Sequence, residues 1–151
     1  MSTSQAWIKE VTDLLIRFRR KKNAAVAVFL VSDLEMNRLK KELLSYEWFS
    51  GLEAQKIKRE KVVDVLAFPE PKGFVSPERR EKMLGEIYIN KKATGTSRHV
   101  FAKLLIHGFL HLLGYRHMVK HDTMRMKRAE KNLWDHILSS GLISEHRPSK
   151  R

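Results

Sequence analysis

The chain has 151 residues, no cysteine, and thirty Lys and Arg against seventeen Asp and Glu, a net charge of +13. That length suits one domain with a full hydrophobic core. The lack of cysteine excludes disulfides and thiolate metal sites and predicts a cytoplasmic location, and the lack of any 18-residue apolar run predicts no transmembrane helix and no membrane partner.

The N-terminus has no basic stretch followed by an apolar core, so it does not read as a signal peptide. The charge predicts a polyanionic partner. Nucleic acid fits best, because neutralising phosphates with Lys and Arg supplies much of the binding free energy.

Residues 4–20 read as an amphipathic helix, with Trp7, Ile8, Val11, Leu14, Leu15 and Phe18 at helical spacing. Its basic end (Arg17, Arg19, Arg20, Lys21, Lys22) suits the negative end of the helix dipole, and Asn23 is expected to stop it. Residues 24–31 read as a buried strand. Ser32 and Glu35 form a capping box that opens a helix running to about Tyr46, with Met36, Leu39 and Leu43 inward. Residues 51–61 are polar and basic and are expected to be a loop or an irregular edge. Residues 62–68 read as a strand stopped by Pro69, and residues 70–80, with Pro71, Gly73 and Pro77, as a loop. Residues 84–90 read as a short strand and 91–97 as a polar connection.

Residues 100–113 are apolar almost all round, the mark of a central, buried helix. Its main polar residues, Lys103, His107 and His111, fall on one stripe. Burying polar groups without partners is costly, so that stripe must face a cleft, a metal or hydrogen-bonding partners. A last helix over 122–139 turns Met126, Ala129, Leu133, Trp134, Ile137 and Leu138 inward, with Gly141 as its cap. No repeat, low-complexity segment or linker occurs. The expectation is a single α+β domain over 1–143, a small mixed sheet packed with helices, and a flexible basic tail over 144–151.

The central helix carries His107-Gly-Phe-Leu-His111-Leu-Leu-Gly114-Tyr-Arg-His117. Four helical residues advance by about 400°, so His107 and His111 sit roughly 40° apart on one face. Gly114 can take the positive φ that ends a helix and folds the chain back, which brings His117 towards the other two. Three imidazoles with one open position make a catalytic zinc site. The spacing is that of the long zincin pattern, but with Gly108 where the zincins have glutamate. His99, His121, His136 and His146 have no such spacing and read as surface or capping residues, though His121 is close enough in sequence to be a candidate for supporting the three histidines.

These eleven residues resemble the YbeY family of endoribonucleases, whose pattern is H-G-x-L-H-L-x-G-Y-D-H. Asp64-Val-Leu-Ala-Phe-Pro69 is similar to the family's T-D-V-L-S-F-P block, and Leu84-Gly-Glu-Ile-Tyr-Ile89 to its L-G-D-I-x-I block. The resemblance implies one zinc ion on His107, His111 and His117, cleavage of single-stranded RNA, maturation of the 16S ribosomal RNA 3′ end and ribosome quality control. It also implies ribosomal RNA as substrate, with ribosomal proteins or a ribosome-associated GTPase as protein partners. Four departures stand out. Arg116 replaces Asp, Glu86 replaces Asp, Val62-Val63 replace Pro-Thr, and the family's active-site arginine falls on Ile57, flanked by Lys56, Lys58 and Arg59. The segment between Asn90 and Val100 is also short, and the helix often found there is expected to be reduced or missing.

Zinc so held would lower the pKa of water or polarise a phosphoryl oxygen. With glycine at 108, proton transfer falls to that water or to a carboxylate such as Glu86. Lys56, Lys58, Arg59, Lys103 and Arg116 are the candidate RNA-binding residues, and Tyr115, Phe68 and Phe74 the candidate rings for stacking a base. Two alternatives remain open: a non-catalytic ribosome-binding factor with a structural metal, and a zinc peptidase.

Overall fold

A computed structural model describes residues 4–19, 21, 23–70, 82–116 and 120–144. The elements follow in the order α1 (Gln5–Phe18), β1 (Ala24–Val31), α2 (Asp33–Ser45), α3 (Gly51–Arg59), β2 (Val65–Pro69), β3 (Lys82–Asn90), α4 (Lys91–Thr94), α5 (Arg98–Leu112) and α6 (Lys120–Ser140). The three strands form one mixed sheet in the order β1-β3-β2, with β1 parallel and β2 antiparallel to the central β3.

Side chains alternate across the sheet, and the two faces bury different cores. On one face Ile87 and Ile89 of β3 pack with Phe101, Leu105, Ile106, Phe109 and Leu110 of α5 and with buried residues of α1 and α6. Each such fully buried side chain contributes about 1.5–3 kcal/mol. On the other face Val31, Met36, Leu43, Val63 and Leu66 form a smaller cluster under α2, with Ile57, Phe68 and Tyr88 against it. The Trp7 indole N–H donates to the Leu142 carbonyl at 2.9 Å, joining α1 to the segment beyond α6.

Helix starts follow the local chemistry. Ser4, Ser32 and Ser97 each accept a hydrogen bond from a backbone N–H in the first turn of α1, α2 and α5, which satisfies donors the helix itself cannot. Asn90 is fully buried and spends its amide on both sides. Its Nδ2 donates to Asp33 at 2.6 Å, and its Oδ1 accepts from the Lys92 N–H at 2.9 Å. One residue thus ties the starts of α2 and α4 to the end of the central strand.

Several expectations need correction. The segment from Gly51, read as a loop or irregular edge, is helix α3. It buries no residue fully, so its apolar period is faint. Glu53 in its first turn and Lys56, Lys58 and Arg59 in its last suit the dipole. The Lys40 ammonium donates to the Lys58 and Glu60 carbonyls at 3.3 and 2.5 Å, which satisfies acceptors at its C-terminus. Strand β1 is an edge strand and is only half-buried along most of its length. β2 begins at Val65, three residues later than expected, because Val62 and Val63 precede its ladder. α1 ends at Phe18, and Asn23, at φ +54°, makes a separate left-handed turn into β1. The expected polar connection after Asn90 holds the four-residue helix α4. Most of the expected 70–80 loop, and the tail beyond Ser144, lie outside the described residues.

Helix α5 lies close on the sheet at one point. A Cβ on Gly108 would meet the Ile87 Cγ2 at 2.8 Å and the Val65 Cγ2 at 3.2 Å, and Ile87 is fully buried. Position 108 is therefore a packing position. Gly108→Glu is expected to lower the unfolding free energy by at least about 3 kcal/mol, through overpacking and burial of a carboxylate. Urea denaturation checks this, and a wild-type midpoint would show that the contact tolerates a side chain.

Candidate functional site

The polar stripe of α5 opens onto a cleft of about 400 Å³. β2 and α5 form its floor, and α3, α6 and the segment after α5 form its walls. Lys103, His107 and His111 all line it, as do Glu53, Lys56, Ile57, Tyr115, Arg116 and Glu130. The stripe therefore faces a cleft, as the cost of burying polar groups requires.

The two imidazoles meet edge to face, with ring centres 4.6 Å apart. Their Nε2 atoms are 3.1 Å apart. Two nitrogens on one tetrahedral zinc, each about 2.0–2.1 Å from the ion, are separated by roughly 3.3 Å. The donor set present fits such an ion. On its other side the His107 Nδ1 lies 3.1 Å from the Glu130 Oε1 of α6. A carboxylate can only accept there, so a neutral His107 that makes this bond carries its proton on Nδ1 and keeps a lone pair on Nε2.

The end of α5 follows from Gly114. With φ at +96°, it lets the Gly114 N–H bond the His111 carbonyl and the Tyr115 N–H bond the Leu110 carbonyl, both at 3.0 Å. This is the paired pattern that closes a helix through a left-handed residue, and it turns the chain back as the spacing predicts. His117 itself lies outside the described residues. Among the described residues no three His, Cys, Asp or Glu side chains gather into a metal-holding group.

The structure separates the other candidates. Lys56 and Lys103 line the cleft, with the Lys103 ammonium 5.3 Å from the centre of the Trp134 ring. Lys58 and Arg59 are exposed on α3 and are not among the cleft-lining residues. The Arg116 Nη1 donates to the Glu53 Oε2 at 3.1 Å, and the Glu53 side chain is only 14% exposed against 67% for Arg116. Arg116 therefore packs back against α3, and the second Glu53 oxygen is buried without a hydrogen-bond partner among the described residues. Ile57 faces the cleft and the smaller core.

Glu86 is not brought to the histidines. It shares a sheet face with Tyr88, opposite to Ile87 and α5, and accepts a short hydrogen bond from the Tyr88 hydroxyl. Burial, and then that bond, push the Tyr88 pKa well up. The expected role of Glu86 in proton transfer at the metal is thus corrected by the side of the sheet it occupies. Among the stacking candidates, the Tyr115 hydroxyl accepts from Arg19 at 2.7 Å, and the guanidiniums of Arg19 and Arg125 lie 5.3 and 5.8 Å from its ring centre. Phe68 packs edge-on against Tyr88 on the far face. Phe74 lies outside the described residues. Of the other histidines, His99 bonds the Ser144 carbonyl, His136 packs on Phe18 and His121 is exposed. His146 lies outside the described residues.

Sequence reasoning missed Glu53 and Glu130. Both belong to other helices, and no local motif marks either one.

A model of the family described as Endoribonuclease YbeY matches residues 1–138. The chain belongs to the YbeY family. The endoribonuclease YbeY of Bacillus subtilis is 31% identical over 152 aligned positions, covering 89% of this chain and 88% of the relative. That of Blochmanniella pennsylvanica is 29% identical over 139 residues, 85% of this chain and 74% of the relative. That of Nitrobacter hamburgensis is 31% identical over 102 residues, 61% of this chain and 52% of the relative. Within this YbeY fold, Arg116 and Ile57 mark where the chain leaves the family pattern, and both sit at the cleft.

The Arg116–Glu53 pair has a measurable consequence. Arg116→Ala leaves a largely buried carboxylate unpaired and is expected to cost about 1–2 kcal/mol of stability. Adding Glu53→Met should recover most of that loss, since an apolar side chain needs no partner there. Denaturant midpoints of the two single variants and the double variant test the coupling. Additive effects would mean that the pair is not an energetic unit.

Proposed function

We propose that the chain is a zinc-dependent endoribonuclease that cleaves single-stranded RNA in the cleft beside α5. One observation carries this reading: the Nε2 atoms of His107 and His111 converge at metal-ligand spacing inside a cleft lined by Lys56 and Lys103. The ligands are His107, His111 and His117. When bound, the ion supplies Lewis acidity to a phosphoryl oxygen or to water.

The chain's own residues divide the remaining work. Lys56 and Lys103 neutralise phosphate charge within the cleft, where excluded water strengthens the effect. Lys58 and Arg59, on the exposed side of α3, meet the backbone of the bound strand further out. Arg116 stands two-thirds exposed at the cleft margin, with its guanidinium held by Glu53. It can present its remaining N–H donors to a phosphate without losing that bond. No helix of the described residues is long and apolar enough to cross a membrane.

On this reading the biological setting is maturation of the 16S ribosomal RNA 3′ end and ribosome quality control in the cytoplasm. Ribosomal proteins or a ribosome-associated GTPase would be the partners. One observation favours a second reading, an assembly factor with a structural metal: Ile57 is apolar where the family pattern carries a cleft arginine, and it is engaged in the core. A peptidase reading is weakened by position 108, where the contact with Ile87 leaves no room for the glutamate such enzymes use.

His111→Ala is expected to abolish zinc binding and cleavage of a single-stranded RNA together, with the fold retained by circular dichroism. Undiminished cleavage would sink the nuclease reading. Zinc binding by the wild type with no cleavage, alongside retained RNA binding, would favour the assembly factor.

A further inference from the structure

We propose that Glu130 is a positioning residue that sets the tautomer and the aim of His107. The inference rests on the reading of His107 and His111 as metal ligands and adds a residue from a different helix to that site. Histidine in water exchanges between two neutral tautomers, and which one a folded protein holds depends on what the ring's other nitrogen bonds. Here the Glu130 Oε1 stands 3.1 Å from the His107 Nδ1. A carboxylate accepts and does not donate, so the bond is made only with the proton on Nδ1. The Nε2 lone pair then points to where the His111 Nε2 lies, 3.1 Å away.

The same bond helps to fix the ring about its own torsion. The His107 and Glu130 side chains are 32% and 37% exposed, so the pair is partly open to solvent. Glu130 also brings a negative charge close to the point where a divalent cation would sit, which favours the cation. Carboxylate partners of this kind commonly set metal affinity by about 10- to 100-fold. Solvent access to the pair places this one at the lower end of that range.

The test uses two readouts on the full chain. Long-range proton–nitrogen NMR of the metal-free protein, at a pH where the ring is neutral, reports which nitrogen of His107 carries the proton. Competition with a chromophoric chelator reports zinc affinity. In the wild type the proton should sit on Nδ1. In Glu130→Ala it should shift towards Nε2, and the zinc Kd should rise about tenfold. Alanine favours the helix, so circular dichroism should be unchanged. Glu130→Gln keeps an oxygen acceptor and should hold the Nδ1–H tautomer with a smaller loss of affinity.

An unchanged tautomer and an unchanged Kd in Glu130→Ala would overturn the proposal. So would equal losses in the Ala and Gln variants, since a hydrogen-bond acceptor would then not be what matters. A wild type that binds no zinc would overturn the metal reading, while the NMR readout alone would still decide whether Glu130 holds the ring.

Discussion

The site depends on how closely α5 lies against the sheet. Gly108 allows that approach, because its missing side chain is replaced by the methyl of Ile87 and by Val65. Once position 108 faces the sheet, the helical period decides what the neighbouring residues face. His107 is rotated about 100° from Gly108, out of the sheet interface and into the cleft, and Lys103 and His111 follow on the same stripe. That contact, with the buried residues of α5, sets the face of the helix on which the imidazoles stand. The same contact excludes from position 108 the acid that a zincin would carry.

The cleft is closed by residues that would be distant on an extended chain. Gly114 ends α5 by a left-handed turn and delivers Tyr115 to a place where Arg19 of the α1 end and Arg125 of α6 both reach its ring. Arg116 then meets Glu53 of α3. α3 has no fully buried residue of its own. It is held by Ile57 on the smaller core, by the Lys40 bonds to its last carbonyls and by this ion pair. The wall of the cleft that carries Lys56 is thus held by partly buried and polar contacts rather than by fully buried residues of its own.

What was legible in the sequence tracks the strength of the local pattern. α5 and α6 were readable because their apolar residues recur over three turns or more, and the histidine stripe because it interrupts one of those patterns. α3 was hidden because tertiary contacts, rather than an apolar face, hold it together. Glu130 was hidden because it acts from a helix that begins three residues after the histidine motif ends, and a lone carboxylate on a helix carries no signal by itself. Glu86 shows the opposite error. A carboxylate two blocks from the motif looked available, but strand alternation sets it with Tyr88, on the face away from Ile87. Which strand face meets α5 is a tertiary fact, and it could be read only once Gly108 was seen against Ile87.

The charge of the chain and the charge of the cleft differ, and the difference suits a metal-dependent nuclease. The chain carries +13 overall, yet the cleft holds Glu53, Glu60, Asp64 and Glu130 beside Lys56, Lys103 and Arg116. Cations alone around two imidazoles would oppose a divalent ion. The carboxylates offset that repulsion, and Glu130 does so in contact with His107. Long-range attraction of a polyanion needs only net charge over the surface as a whole. Binding of a dication needs local negative charge within a few ångströms. Most of the Lys and Arg lie outside the cleft lining, and four carboxylates lie within it, an arrangement that suits both requirements.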